Sequence, residues 1–122
     1  MMYLPILCFA ALAVSIASPV TAQQQPPAAT NPFEGNPVAA QEGHVLFNET
    51  CSHCHGPDAV TPLSERNLRK LARRYGDQMA ETFHTTVVNG RPEMGMPIWG
   101  GVIDEITIWK IYSYIETIQV HE

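Results

Sequence analysis

Residues 51–55 read Cys51-Ser52-His53-Cys54-His55 and place two thiols and an imidazole within five positions of the chain. The spacing is that of the C-x-x-C-H motif, which attaches a c-type haem covalently. Each thiol of such a pair adds to one of the two vinyl groups of the haem, and the histidine that follows is then held beneath the iron as its proximal ligand. A structural zinc site would need a second ligand pair, and no second Cys-x-x-Cys or Cys-x-x-His occurs in the chain. The motif therefore predicts one haem c, bound through Cys51 and Cys54, with His55 as an iron ligand.

The size and charge of the chain limit the class of protein it can be. Its 122 residues, 45% of them hydrophobic and 16% charged, fit one small domain. Seven Lys and Arg side chains against twelve Asp and Glu give a formal charge of −5. A nucleic-acid binder held by its overall field is therefore excluded.

The first 22 residues contain no charged side chain and end in Val20-Thr21-Ala22, which is the pattern of a secretory signal peptide and its small-residue cleavage site. The alternative is an uncleaved anchor, because residues 4–22 are just long enough to span a bilayer. Pro5 and Pro19 weaken that alternative. We expect an exported, periplasmic protein that contacts a membrane only if the signal is retained.

Beyond the signal, residues 23–36 are rich in Gln, Pro, Ala and Asn, have no apolar periodicity and predict a disordered leader. The folded domain is then 37–122, and Cys51 and Cys54 are its only cysteines. A single C-x-x-C pair cross-links almost nothing, so these thiols are expected to serve chemistry rather than a disulfide scaffold.

About four helices are predicted in this domain. The first begins at Pro37, with Asn36 as its N-cap, and continues to the cysteines. The others are residues 65–75, between an N-cap at Ser64 and Gly76, a segment from Asp77 to Gly90, and residues 104–120, whose length favours a helix despite many isoleucines. The fold class is therefore all-α. The long loops 56–63 and 91–101 need a surface to pack against, which a bound haem would supply.

The chain resembles the class I (monohaem) c-type cytochromes. The resemblance covers about residues 38–119 and rests on three segments in order: G-x-x-x-F before CSHCHG, a Met-Pro loop, and a C-terminal helix of aromatic and Ile residues. It implies a cytochrome-c-like fold of about four helices wrapped around one covalent haem.

The resemblance also implies that a methionine from the Met-Pro loop is the second axial ligand of the iron. Met96, which Pro97 follows, matches the pattern. Met94 is the competitor, preceded by Glu93 rather than followed by Pro. Met79 has core spacing in the third helix, and we interpret it as a core residue.

In the same family the first and last helices cross. Gly43 is expected to allow a close backbone approach there, with Phe47 packed beside an aromatic side chain such as Tyr114. Both roles are structural.

Around the haem, the resemblance implies that the Pro62 carbonyl accepts a hydrogen bond from His55 Nδ1–H, which fixes the ring and raises its basicity. Leu63 and Trp99 are expected to line the haem. Trp99 and Trp109 are equally compatible with ordinary core positions.

Two further groups of polar residues are notable in the sequence, the remaining histidines and a cluster of cations. His44, His53, His84 and His121 show no ligand spacing among themselves and are interpreted as surface or satisfied polar residues. Five of the seven cations fall in the predicted second helix, where they would share one face: Arg66, Arg69, Lys70, Arg73 and Arg74. This face is either simply solvated or a docking patch for an acidic redox partner.

A haem with His and Met ligands has no open coordination site, so these features predict a one-electron carrier rather than an enzyme. The loop GRPEMGMPIWGG and the tail IWKIYSYIETIQ are similar to cytochromes that accept electrons from quinoprotein alcohol dehydrogenases. That similarity implies such a donor, with a terminal oxidase or another cytochrome as acceptor. The alternatives are a haem enzyme or gas sensor with a displaceable methionine, and a fixed cytochrome subunit of a dehydrogenase or oxidase complex.

Overall fold

The computed structural model describes residues 29–121, so the predicted signal peptide at 1–22 lies outside the described residues. Five α-helices follow one another in this part of the chain: α1 (Pro37–Thr50), α2 (Ser52–His55), α3 (Leu71–Tyr75), α4 (Met79–Asn89) and α5 (Glu105–Thr117). Short 3-10 turns join them at Pro57–Ala59, Ser64–Arg66, Leu68–Lys70, Gly76–Gln78 and Pro92–Met94. Between residues 29 and 121 there is no β-strand, and the all-α class is confirmed. Nor does any helix in this range have the length and apolar character needed to cross a bilayer.

Helix α1 begins where the sequence predicts. The side chain of Asn36 accepts hydrogen bonds from the backbone N–H groups of Val38 and Ala39, at 3.0 and 3.1 Å, and Pro37 occupies the first turn. The buried residues Ala39, Gly43 and Phe47 recur every four positions. One face of α1 is therefore directed at the core.

That face crosses α5 at the closest approach of the two helices. A Cβ atom on Gly43 would lie 1.8 Å from the carbonyl oxygen of Lys110, so only glycine fits without moving a helix. One turn further, the rings of Phe47 and Tyr114 lie 5.6 Å apart, and Phe47 is completely buried. The predicted helix crossing is confirmed.

Replacement of this glycine is expected to cost stability. In Gly43→Ala the new methyl group meets a backbone carbonyl that cannot rotate away, so we expect a loss of about 2 kcal/mol in the free energy of unfolding. This loss exceeds the helix-propensity gain of Gly→Ala, about 1 kcal/mol. Denaturant titration of the haem-loaded protein measures it, with the exposed Gln41→Ala on the same helix as control. Equal midpoints for the two variants would contradict the close-crossing argument.

The predicted second helix is wrong in its length. Instead of one helix over 65–75 the chain forms two 3-10 turns and then the five-residue α3. The break is at Asn67, whose backbone is extended (φ −79°, ψ 110°) and whose side chain accepts from Arg69 N at 2.8 Å. Local capping by Asn competes with helix continuation at this position.

Helix α5 supplies most of the core. The Asp104 carboxylate caps it by accepting from Thr107 N at 2.8 Å, and this hydrogen bond is the main cause that lowers the pKa of Asp104. The helix ends at Thr117, three residues before the predicted end. Its buried residues are Ile108, Trp109, Ile111, Tyr112, Ser113, Tyr114 and Ile115.

Residues 29–36, which the composition assigns to a disordered leader, contact the domain. Asn31 Nδ2 donates to Ser113 Oγ at 2.9 Å and to Glu116 Oε2 at 3.1 Å, and Phe33 packs against the core. The pKa of Glu116 is raised because the carboxyl is partly buried. The packed part of the chain thus begins before Pro37. Amino-acid composition does not predict this, because the hydrogen bonds are to residues of α5, far away in sequence.

Candidate haem site

A cavity of about 410 Å³ opens between the helices, within the range of typical cofactor pockets, roughly 300–1,000 Å³. All four predicted site residues line it: Cys51, Cys54, His55 and Met96. The first three come from the junction of α1 and α2, and Met96 comes from the loop after α4. Residues 41 to 45 positions apart in sequence are therefore brought to one cavity by the fold.

The C-x-x-C-H motif occupies one helical turn. Cys51 closes α1, and its carbonyl accepts from His55 N at 3.1 Å, which continues the backbone as α2. Both thiols are free. Burial, and secondarily the neighbouring Cys54, raise the pKa of the Cys51 thiol to about 11.

His55 is oriented by a carbonyl other than the predicted one. Its Nδ1–H donates to the backbone oxygen of Arg66 at 2.8 Å, whereas the resemblance implied the carbonyl of Pro62. The acceptor lies at the end of the 3-10 turn Ser64–Arg66, and the route of that loop is set by tertiary packing. With the proton on Nδ1, the lone pair of Nε2 is available to a metal.

The methionine loop is held by a pair of backbone hydrogen bonds. Arg91 N donates to Met96 O at 2.9 Å and Met96 N to Arg91 O at 3.0 Å. Between them lie the turn Pro92–Met94 and Gly95 at φ +85°. Both methionines line the cavity, but Met94 is 60% exposed whereas Met96 is partly buried. Burial distinguishes the two methionines, and Met96 stays the predicted iron ligand.

The expected lining residues are found only in part. Trp99 lines the cavity, but Leu63 is 43% exposed and lies outside the wall. Trp109 stacks on His84 with ring centroids 4.9 Å apart and belongs to the core. The apolar wall that sequence analysis missed is formed by Phe47, Leu68, Leu71, Phe83, Ile108 and Ile111. Phe47 was expected only at the helix crossing, and the four-residue spacing of Met79, Phe83 and Val87 is a sequence signal for the inward face of α4.

None of the other described histidines lines the cavity, and two of them have polar partners elsewhere. His44 Nε2 lies 2.6 Å from Asp58 Oδ1, and this contact is the main cause that lowers the pKa of Asp58. His84 Nε2 lies 2.7 Å from Glu105 Oε2. His53 is exposed. Among residues 29–121 no cluster of three or more His, Cys, Asp or Glu side chains is arranged to hold a metal ion.

The five cations of residues 66–74 do not share one helix face, because the predicted helix is broken. Arg66 and Arg74 line the cavity, as does Arg91 from the methionine loop. Arg69 Nε instead donates to the carbonyl of Ile118 at 3.4 Å. These cations therefore do not form the single exposed face that the proposed docking patch requires.

The cavity fits a haem in its chemistry. A haem combines a flat apolar macrocycle with an iron and two carboxylates. The cavity offers apolar walls for the ring, an imidazole and a thioether for the iron, and two thiols at one end. Three arginines carry charge of the sign that complements carboxylates.

Comparison with known proteins identifies the family. The family model described as "Cytochrome C oxidase, cbb3-type, subunit III" matches residues 38–115, well over half of the chain. Cytochrome c550 of Pseudomonas aeruginosa is 31% identical over 94 residues, which cover 75% of this chain and 63% of the relative.

Two oxidase subunits are also similar. The cbb3-type cytochrome c oxidase subunit CcoP of Azospirillum brasilense is 31% identical over 87 residues, covering 66% of this chain and 29% of the relative. Subunit FixP of a Bradyrhizobium species is 33% identical over 81 residues, covering 65% and 27%. The chain thus spans less than two thirds of the length of each of these relatives. No solved structure matches it significantly.

The C-x-x-C-H turn, the all-α architecture and the family match agree with one another. Together they imply a covalent c-type haem in the cavity described above. This chain belongs to the class I c-type cytochromes, within the family whose model is named for subunit III of cbb3-type cytochrome c oxidase.

Proposed function

We propose that the protein is an exported one-electron carrier whose haem is attached through Cys51 and Cys54 and whose iron is bound by His55 and Met96. The observation that carries the proposal is that one cavity is lined by all four side chains. The family match supports electron transfer as the general function. Export to the periplasm rests on the uncharged, small-residue-terminated segment 1–22.

When bound, the haem supplies an iron that takes up and releases one electron. The protein's part is to hold both axial donors. The Arg66 carbonyl holds the His55 ring with Nε2 free, and the Arg91–Met96 backbone pair holds the methionine loop. Bound to the iron, His55 and Met96 would leave no position for O₂ or peroxide, and the site would need little rearrangement when the electron moves. The soft thioether favours Fe(II) and raises the reduction potential relative to bis-His ligation.

The cavity residues would also set the polarity around the haem. The buried apolar side chains of Phe83 and Ile108 line the cavity, and an apolar lining that limits solvent access tunes the reduction potential. Arg66, Arg74 and Arg91 would hold the haem carboxylates by charge-assisted hydrogen bonds.

For the redox partners, we propose a quinoprotein alcohol dehydrogenase as donor, on the likeness of the methionine loop and tail to cytochromes of that pathway. A terminal oxidase or another cytochrome is the proposed acceptor. Two relatives are named as subunits of cbb3-type cytochrome c oxidase, which supports an oxidase on the acceptor side.

The proposal is tested on the untagged haem-loaded protein purified from its host. We expect a reversible redox titration with one electron per haem, a methionine–iron charge-transfer band near the red edge of the visible spectrum, and no CO binding by the reduced protein. A missing band together with CO binding would instead identify a haem enzyme or gas sensor. Tight co-purification with larger subunits would identify a fixed cytochrome subunit.

A further inference from the structure

Residues 118–120, which follow α5, are joined to residues 68–72 by four hydrogen bonds, and the side chain of Gln119 makes two of them. Gln119 Nε2 donates to the carbonyl of Leu68 at 2.8 Å and to that of Ile115 at 2.9 Å. Its Oε1 accepts from Ala72 N at 2.9 Å. Both ends of the amide are therefore used, and they link α5 to the broken segment 64–75.

These bonds replace local ones that the segment lacks. Helix α3 has no side-chain cap at Lys70, so the N–H of Ala72 in its first turn would otherwise be unsatisfied. Gln119 provides the acceptor from 47 positions away. The same amide satisfies the carbonyl of Leu68 in the preceding 3-10 turn, so a single side chain holds both sides of the junction.

The junction is close along the chain to the residue that orients His55. Leu68 is two residues from Arg66, whose carbonyl accepts from His55 Nδ1–H. Asn67 connects the two with an extended backbone and caps the turn that Leu68 begins. Leu68 and Leu71 also line the haem cavity. Movement of Leu68 therefore moves the carbonyl that orients the histidine.

We propose that Gln119 is a positioning residue for the haem iron, holding the Arg66 carbonyl against His55 through its hydrogen bond to Leu68. The inference rests on the proposed ligation by His55. A strong Nδ1–H hydrogen bond makes the imidazole a more basic ligand, and a more basic ligand favours Fe(III). Loss of Gln119 then weakens that hydrogen bond and raises the reduction potential.

Substitution of Gln119 leaves two other hydrogen bonds between residues 118–120 and Arg69. Val120 N donates to Arg69 O at 2.8 Å, and Arg69 Nε to Ile118 O at 3.4 Å, and neither bond involves the Gln119 side chain. Haem-loaded Gln119→Leu is therefore expected to fold. Gln119→Glu is a second variant, which keeps an acceptor for Ala72 N but has no donor for Leu68 at neutral pH. The control is Gln41→Leu, the same change at an exposed site on α1.

The experiment measures the reduction potential by redox titration, and the His55 Nδ1–H resonance by NMR of the reduced, diamagnetic protein. We expect Gln119→Leu to raise the potential and both Gln119 variants to shift that resonance upfield and speed its exchange with water, while Gln41→Leu matches wild type. A merely structural clamp would lower the melting temperature of Gln119→Leu and leave the potential and the resonance at wild-type values. That result, or a wild-type His55 Nδ1–H resonance in Gln119→Glu, would overturn the proposal. Failure of the proposed ligation would be seen separately, as a missing methionine–iron band in wild type.

Discussion

Met96→Ala is expected to lower the reduction potential by on the order of 0.2 V, about a quarter of the roughly 0.8 V range that axial ligands control. The thioether stabilises Fe(II), and the substitution removes it. The substitution also leaves one axial position open, so the reduced protein should bind CO and the oxidised protein imidazole. Potentiometric titration and visible spectra before and after ligand addition measure both effects.

Met94→Ala is the matched control, because the same side chain is removed two residues earlier in the same loop. Met94 is 60% exposed, and we expect its loss to leave the spectrum and the potential unchanged. If Met94→Ala abolishes the methionine–iron band while Met96→Ala keeps it, the two methionines have been assigned in the wrong order.

The double variant Cys51→Ala/Cys54→Ala is expected to lose most of its helical structure. Side chains from α1, α4, α5 and two loops converge on one cavity of about 410 Å³, and without the haem their apolar faces have nothing to pack against. A small domain has little other core to compensate, and the stability linked to haem binding disappears. Far-UV circular dichroism and thermal melting of the purified variant measure the loss.

The control for this variant is His53→Ala, which changes an exposed residue inside the motif and keeps both thiols and His55. It is expected to carry one haem per chain and to melt like wild type. Native helicity and a cooperative melt in the cysteine variant without haem would show that the fold does not depend on the haem.

These expectations draw on features that were readable from the sequence to different degrees. The motif at 51–55, the start of α1 at Pro37 and the glycine at the α1–α5 crossing were all predicted. The glycine at the crossing was implied by the family resemblance, whereas the motif is a fixed spacing and the start of α1 is an N-cap before a proline. Local chemistry determines such features, so a single sequence is enough to locate them.

The environment of the predicted ligands was decided by contacts between distant residues. Asn67 interrupts a segment that its flanking caps had marked as one helix, and this break is what presents the Arg66 carbonyl, rather than that of Pro62, to His55. The same break directs two arginines to the cavity and not to a common exposed face.

The sequence by itself thus determined the covalent chemistry, the all-α class and the start of α1, because short-range spacing and capping signals specify them. The crossing of the first and last helices was implied by the family resemblance. The tertiary structure alone decided which carbonyl orients the histidine, which methionine is the more buried, and that Asn31 and Gln119 bind elements 82 and 47 positions away. Hydrogen bonds of that separation depend on how loops and helices pack together. The partners of Asn31 and Gln119 can therefore be identified only from the folded structure of the whole domain.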